Sequence, residues 1–212
     1  MKLRGRFSLL ASIGLSFGIG LTGCSSEPQN QVLPAGSTVI ALGDSLTYGY
    51  GASTETAYPS VLADLSQWKV VNAGVNGDTS ADVLARVEDI TKQSPDLVLL
   101  GVGGNDVLQR IKPDTTRANI ERTVDTLHSA NIDVVLIAEP YLSASALFGK
   151  VSDNPLYEEV ADEKDIPLYS GGWSAVLSDD TLKSDRIHAN AIGYRQFAEG
   201  LHDYLQEEGL AP

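Results

Sequence analysis

Three side chains of this sequence have the types that nucleophilic catalysis needs, although they lie far apart along the chain. Ser45 stands in the turn Gly43-Asp44-Ser45-Leu46, and Asp185 and His188 lie three residues apart near the other end. A serine hydroxyl is a weak nucleophile at neutral pH, so it needs a base within hydrogen-bond reach and a third group that orients the base. The three residues are therefore candidates for nucleophile, base and orienting carboxylate.

His188 is the strongest candidate base among the three histidines. His128 and His202 fall in helical patterns among polar neighbours, which favours solvent-facing helix residues. His188 instead lies in the polar segment Ser184-Asp185-Arg186-Ile187-His188, just ahead of the final helical pattern. The alternative interpretation of Asp185 and His188 is a loop that caps this helix.

The apolar pattern identifies the elements that must position Ser45. Short runs rich in Val, Ile and Leu recur with little polar alternation, as in parallel strands covered on both faces. They comprise residues 38–42, 69–71, 97–102, 134–138 and, more weakly, 166–169. Ser45 follows the first run at a glycine turn, which predicts the C-terminal edge of a parallel sheet, where α/β proteins bind ligands.

Helical patterns separate these runs. Apolar residues spaced as on one helix face are Val83, Val87 and Ile90; Ile120, Val124 and Leu127; and Phe197, Leu201, Tyr204 and Leu205. Gly209 is typical of the end of the last helix. Alternating strands and helices with short links predict one α/β domain, a three-layer α/β/α sandwich with a central parallel sheet of about five strands.

Two loops at the same sheet edge have the composition of an oxyanion hole. Residues 72–79 follow the second run, and their glycines let a backbone N–H approach a developing negative charge. Residues 101–106 follow the third run, where Asn105 adds a side-chain NH₂ donor. Each loop alone is ordinary turn chemistry. Their joint placement beside Ser45 favours the oxyanion hole.

Four ordered blocks resemble the GDSL-type members of the SGNH hydrolase superfamily. They are Gly43-Asp44-Ser45-Leu46, Gly77 within residues 76–80, Gly104-Asn105-Asp106, and Asp185-Arg186-Ile187-His188. The resemblance covers residues 38–205 and is greatest to the secreted bacterial branch of acyl-CoA thioesterases, lysophospholipases and arylesterases. One departure is Ala189, where many relatives carry proline after the histidine.

The resemblance implies a flavodoxin-like fold and a role for each matching residue. Ser45 would be the nucleophile, His188 the base and Asp185 the group that orients it. The oxyanion donors would be the backbone N–H groups of Ser45 and Gly77 and the side-chain amide of Asn105. The implied reaction needs no cofactor or metal.

The implied activity is that of a serine esterase. Its substrates would be acyl esters or thioesters, such as arylesters, short-to-medium-chain fatty acyl esters or lysophospholipids, cleaved through an acyl-enzyme. A carbohydrate O-deacetylase and a non-catalytic envelope lipoprotein that serves in binding remain the alternatives.

A second apolar segment at the catalytic edge bears on the substrate. Residues 141–149 follow the fourth run and include Leu142, Leu147 and Phe148, which we expect to form a wall or lid of the acyl pocket. The alternative is a loop or short helix packed on the core. Tyr48 and Tyr50, shortly after Ser45, are candidates to face the substrate or to pack internally.

The start of the chain predicts export and lipidation. A basic start and the apolar stretch 7–21 form a secretory signal over residues 1–23. Leu21-Thr22-Gly23-Cys24 resembles the bacterial lipobox, which implies cleavage before Cys24, the only cysteine, and lipid attachment to it. Residues 24–36 then form a flexible tether and residues 37–212 the hydrolase domain. The expected location is the cell envelope, at the outer membrane or facing the periplasm.

The charge of the chain narrows the range of partners. A formal net charge of −13 argues against nucleic acid, because phosphate binding relies on Lys and Arg. It also argues against tight contact between the protein body and anionic headgroups, so we expect membrane attachment through the lipid on Cys24. A small-molecule acyl ester is the expected ligand, and the sequence contains no cluster of metal ligands.

Overall fold

The predicted strand runs form one parallel sheet in the order β2-β1-β3-β4-β5. We describe residues 32–141 and 151–212 of a computed structural model. The strands are β1 (Thr38–Gly43), β2 (Lys69–Gly74), β3 (Leu97–Gly101), β4 (Asp133–Ile137) and β5 (Leu168–Tyr169). This is the flavodoxin-like strand order, so the predicted fold class is confirmed.

Eight α-helices lie within the described residues. They are α1 (Ser45–Tyr48), α2 (Tyr58–Ser66), α3 (Ser80–Thr91), α4 (Gly104–Leu108), α5 (Pro113–Ser129), α6 (Leu156–Lys164), α7 (Gly172–Ser178) and α8 (Ala191–Glu207). The three helices expected from apolar spacing correspond to α3, α5 and α8. Gly209 follows α8 with a φ of 69°, a left-handed backbone that favours glycine.

Both faces of the sheet are buried, which explains the continuous apolar runs. Val39 and Ala41 of β1 join a core with residues of α2, α7 and α8. Ile40 and Leu42 point the other way into a core with residues of α3, α5 and α6. Because successive side chains of a strand face opposite layers, a central strand covered on both sides is apolar throughout.

Strand β2 departs from this pattern because it lies at the edge of the sheet. It extends three residues beyond the predicted run, to Gly74, and half of its six residues are exposed. An edge strand tolerates polar residues such as Asn72. The Asn72 amide donates to the Tyr48 carbonyl at 3.1 Å, and its oxygen accepts from Gly74 N–H at 2.9 Å.

The chain enters the domain near the N-terminal end of β1, whereas Ser45 lies at the C-terminal end of this strand. Leu33 N–H donates to the Leu210 carbonyl at 2.8 Å, and Trp68 Nε1 donates to the Leu33 carbonyl at 3.2 Å. These contacts lie before the start of β1, whereas Ser45 follows its end. The predicted signal and Cys24 lie outside the described residues. No helix within residues 32–141 and 151–212 is long and apolar enough to cross a membrane.

Candidate active site

Ser45 is positioned by a turn that requires a glycine. A Cβ built on Gly43 would lie 2.1 Å from the Gly101 carbonyl oxygen, so β1 and β3 approach this closely only without a side chain there. Asp44 then caps α1, and its carboxylate accepts from Leu46 N–H at 2.9 Å. As the first residue of α1, Ser45 has a backbone N–H with no intrahelical acceptor, which leaves a donor beside its own hydroxyl.

The three predicted catalytic side chains meet in a continuous hydrogen-bonded chain. Ser45 Oγ lies 3.0 Å from His188 Nε2, and His188 Nδ1 lies 2.8 Å from Asp185 Oδ2. A carboxylate can only accept, so Nδ1 carries the proton and Nε2 accepts from the Ser45 hydroxyl. His188 is thus placed to accept the proton of the Ser45 hydroxyl, and Asp185 orients the imidazole through Nδ1.

Asp185 is held by the turn that it shares with His188. Its Oδ1 accepts from the N–H groups of Ile187 and His188, both at 2.9 Å. Partial burial raises the pKa of Asp185, but these hydrogen bonds and the His188 side chain outweigh it and leave the pKa below its usual value. Asp185 is therefore ionised at neutral pH. The cap of α8 is supplied by Asn190, which accepts from Ile192 and Gly193 N–H.

The oxyanion candidates Gly77 and Asn105 flank Ser45 at the C-terminal ends of β2 and β3. The loop of Gly77 turns through a bond from Asp78 N–H to the Val75 carbonyl, and Gly77 has a φ of 87°. Asn105 Nδ2 donates to Asp44 Oδ2 at 3.0 Å and to the Asp78 carbonyl at 2.9 Å. Both hydrogens of this amide are engaged, so donation to an oxyanion requires that one of them be shared or exchanged.

The site lies at the switch point of the sheet. After β1 the chain continues to β2 on one side of it, and β3 lies on the other side. The change of direction opens a crevice at the C-terminal ends of β1 and β3, where doubly wound folds bind their ligands. Ser45 follows β1 and Asn105 follows β3. The fold therefore brings together two blocks that are sixty residues apart.

Arg86 fixes the loop of Gly77 and was missed by sequence reasoning. Its Nε donates to Asp78 Oδ2 at 2.8 Å and its Nη2 to the Gly43 carbonyl at 2.9 Å. A helical arginine gives no pattern that distinguishes it from a solvated one. Its partners follow from the tertiary fold alone.

Asp106 links the segment Gly104-Asn105-Asp106 to the segment 76–80 that contains Gly77. It is 1% exposed and accepts from Ser80 N–H at 2.8 Å, from Ser80 Oγ at 2.5 Å and from Thr116 Oγ1 at 3.0 Å. These bonds tie the beginnings of α3 and α5 to α4. Asp106 follows Asn105 directly, so it stabilises the helix that carries the amide.

The mouth of the cleft is apolar and aromatic. The Tyr50 ring lies 4.5 Å from the His188 ring at 39°, and Tyr48 and Tyr50 are each about half exposed. Tyr50 thus packs against the ring of His188 at the mouth of the cleft. The apolar residues that line the cleft are Leu46, Leu108, Pro140, Leu177 and Ile187. The predicted acyl-pocket residues Leu142, Leu147 and Phe148 lie outside the described residues.

The other two histidines lie away from this cleft. His128 is exposed, as expected, but His202 is partly buried, and its Nε2 has no hydrogen-bond partner among the described residues. His202 is therefore not the fully solvent-facing residue that its polar neighbours predict. Among residues 32–141 and 151–212, no cluster of His, Cys, Asp and Glu could hold a metal ion.

The fold and the site together define an α/β protein of the hydrolase type, with a serine, a histidine and an aspartate in line at the switch point. Residues 41–196 match the GDSL-like Lipase/Acylhydrolase family. The chain therefore belongs to this family.

Named relatives agree with this assignment. The chain is 33% identical over 179 residues to thioesterase 1/protease 1/lysophospholipase L1 of Escherichia coli, covering 81% of this chain and 85% of the relative. It is 30% identical to esterase TesA of Pseudomonas aeruginosa, covering 79% and 87%. The crystal structure of the psychrotrophic esterase EstA from Pseudoalteromonas superposes with a TM-score of 0.70 at 22% identity, covering 81% and 97%. The protein is an ester hydrolase.

Proposed function

We propose that this protein is a serine esterase in which Ser45, His188 and Asp185 form the catalytic triad. Its substrates are acyl esters and thioesters, such as arylesters, short-to-medium-chain fatty acyl esters and lysophospholipids. The observation that carries the proposal is the unbroken chain of hydrogen bonds from Ser45 through His188 to Asp185.

Acylation follows from this geometry. Ser45 Oγ attacks the carbonyl carbon while its proton passes to His188 Nε2, and Asp185 stabilises the imidazolium. The carbonyl oxygen becomes an oxyanion that accepts from the N–H groups of Ser45 and Gly77 and from the Asn105 amide. The imidazolium then protonates the leaving alcohol or thiol as the carbonyl re-forms, which leaves an acyl-serine.

Deacylation repeats the steps with water as the nucleophile. His188 takes a proton from water, and the hydroxide attacks the acyl-serine through a second tetrahedral intermediate. The proton returns to Ser45 Oγ and the carboxylic acid leaves.

The test is hydrolysis of p-nitrophenyl esters with C2 to C16 acyl groups by the purified full-length protein in detergent. Ser45→Ala is measured beside Ser129→Ala, a matched change at an exposed serine of α5 that bonds only its own helix. We expect turnover of short-to-medium esters that falls by more than about 10³-fold in Ser45→Ala and is unchanged in Ser129→Ala.

Two outcomes would contradict the proposal. Full activity in Ser45→Ala would exclude Ser45 as the nucleophile. Turnover confined to the C2 ester would instead support a carbohydrate O-deacetylase.

We also propose that Cys24 is lipidated and holds the domain at the cell envelope. The entry of the chain at the sheet edge opposite to Ser45 supports this, because a tether there leaves the cleft open. Labelling with radioactive palmitate in bacterial cells is expected to mark the wild type and not Cys24→Ser. Equal labelling of both proteins, or equal release of both into the soluble fraction, would contradict the proposal.

A further inference from the structure

A second buried acid stands at the catalytic edge and takes no part in the triad. Glu139 follows β4, lines the cleft and is 1% exposed. Its Oε2 accepts from Gly104 N–H at 2.6 Å, its buried Oε1 receives no N–H or O–H donor among the described residues, and the carboxyl hydrogen-bonds to the Asp44 side chain. A buried carboxyl that receives a single donated hydrogen bond is costly when charged, so its presence here calls for a role.

The single bond that Glu139 accepts fixes the start of α4. This helix has five residues, too few to be stable alone, and it carries Asn105 in its first turn. Gly103 precedes it with a φ of 138°, and a Cβ there would meet Tyr157 Oη at 2.5 Å. Glu139 therefore holds the N–H of Gly104, which lies between Asn105 and a residue, Gly103, whose conformation only glycine adopts easily.

Asp44 holds the same asparagine from the other side. Its Oδ2 accepts from Asn105 Nδ2 at 3.0 Å, and its Oδ1 accepts from Leu46 N–H. Asp44 thus receives two hydrogen bonds and Glu139 receives one. Since hydrogen bonds to a carboxylate favour its charged form, the negative charge of the pair resides on Asp44 and the proton on Glu139.

Burial and like charge keep that proton in place. Burial raises the pKa of Asp44 to about 7, and burial together with the Asp44 charge raises the pKa of Glu139 well above its ordinary value. The groups that face the pair are mostly acidic or neutral: Asp78, Asp106, Tyr58, Tyr157 and His188, with Arg86 paired to Asp78.

We propose that Glu139 is a positioning residue of the esterase site: its neutral carboxyl holds Gly104 N–H, and through it Asn105, in place beside Ser45. The proposal rests on Ser45-dependent hydrolysis as the function. It follows that this pair places one negative charge, and not two, beside the developing oxyanion. When the pair loses its proton at high pH, a second negative charge appears there and opposes the transition state.

The test compares Glu139→Gln and Glu139→Leu with the wild type, using p-nitrophenyl butyrate between pH 6 and pH 10. Glutamine keeps an oxygen for Gly104 N–H and stays neutral, so we expect kcat within about threefold of the wild type at pH 7 and no alkaline decline. Leucine removes the acceptor, so we expect kcat to fall by about tenfold or more with KM within about twofold.

Glu158→Gln, at an exposed position of α6, is the matched control and should reproduce the wild-type profile. Wild-type kcat in Glu139→Leu would overturn the proposal, as would an unchanged alkaline decline in Glu139→Gln. If Glu139→Leu does not fold, as judged by circular dichroism, the pH profile of Glu139→Gln decides alone. Activity that persists in Ser45→Ala would refute the proposed function separately, because that variant leaves Glu139 intact.

Discussion

At the scale of single residues, Asp185 is the least protected member of the proposed triad, since its side chain is 45% exposed. We expect Asp185 to act by orienting the imidazole: it accepts from His188 Nδ1 and so leaves Nε2 free for the Ser45 hydroxyl. Amide substitution would permit the wrong tautomer. We expect Asp185→Asn to lower kcat by about 10²- to 10⁴-fold with little change in KM.

The matched control for this prediction is Asp89→Asn, an exposed carboxylate of α3 that pairs with Lys92. It should leave the rate of p-nitrophenyl butyrate hydrolysis unchanged. A kcat in Asp185→Asn within threefold of the wild type would show that the imidazole is oriented by other contacts.

Gly77 offers a second residue-scale test with a control of the same geometry. Gly77 and Gly36 both have a φ of 87°, and a Cβ on either would meet no atom within 4 Å. Alanine at each position should therefore destabilise the fold by a similar amount, about 1 kcal/mol, through backbone strain alone. Only Gly77→Ala should also lower kcat, by about tenfold or more, because the strained backbone would move an N–H that is a proposed oxyanion donor.

Urea unfolding and steady-state kinetics on both variants check this expectation. An equal loss of kcat in Gly36→Ala would attribute the effect to general destabilisation. Unchanged kcat in Gly77→Ala would remove Gly77 from the oxyanion hole.

At the scale of elements, the site depends on how α3 is fastened to the end of β1. Arg86 of α3 reaches both the Gly43 carbonyl and Asp78, and so connects the strand before Ser45 to the loop of Gly77. We expect Arg86→Gln to lower kcat by about tenfold, because the loop of Gly77 would no longer be held at a fixed position relative to Ser45. Michaelis–Menten kinetics give the measurement.

Arg117→Gln is the corresponding control on α5. Arg117 pairs with Glu121, Glu159 and Glu163, which ties α5 to α6 at a distance from the cleft. It should shift the unfolding midpoint without changing kcat. If both variants lose stability and neither loses activity, the hydrogen bonds of Arg86 to Asp78 and to the Gly43 carbonyl stabilise the fold without supporting catalysis.

Element length also decides what the sequence could predict. The strands β1, β3 and β4 and the helices α3, α5 and α8 are long or apolar enough to show their period. Helices α1, α4 and α7, of four, five and seven residues, have too few turns for any spacing to appear. They form because a strand ends before them and a neighbouring element packs on them.

The same limit applies to the site. Ser45, Asp185 and His188 could be found because their types are rare in combination and their loops follow recognisable elements. Glu139 carried a readable signal as well, a carboxylate directly after a buried strand at the catalytic edge. Arg86 carried none, since its partners are backbone and side-chain atoms that only the folded chain brings within reach.

At the scale of the whole molecule, buried acids make stability depend on pH. A carboxyl whose pKa is raised in the folded state stabilises the fold fully below its unfolded pKa of about 4 and loses this contribution as pH rises through the folded pKa. For Asp44 that value is about 7. We expect the free energy of unfolding to decrease from pH 5 to pH 8, by up to about 1.4 kcal/mol per pH unit for each proton held.

Glu139→Gln should make this decrease shallower, because it removes a carboxyl whose proton the folded state holds and the unfolded state releases. Urea titrations at several pH values measure the slope. The lowered pKa of Asp185 acts only at more acidic pH, where its contribution is lost as pH falls, so it does not mask the effect. Identical slopes in both proteins would show that Glu139 holds no proton in the folded state over this pH range.

The contact between Leu33 and Leu210 has a practical consequence. The segment that leads into the domain and the last residues of the domain meet in one hydrogen bond, near the start of β1 and away from Ser45. A bead, a fusion partner or a short peptide bridge attached at either end would leave the mouth of the cleft clear. The domain is therefore suited to immobilisation at either end, with the cleft of Ser45 accessible to substrate in every attached molecule.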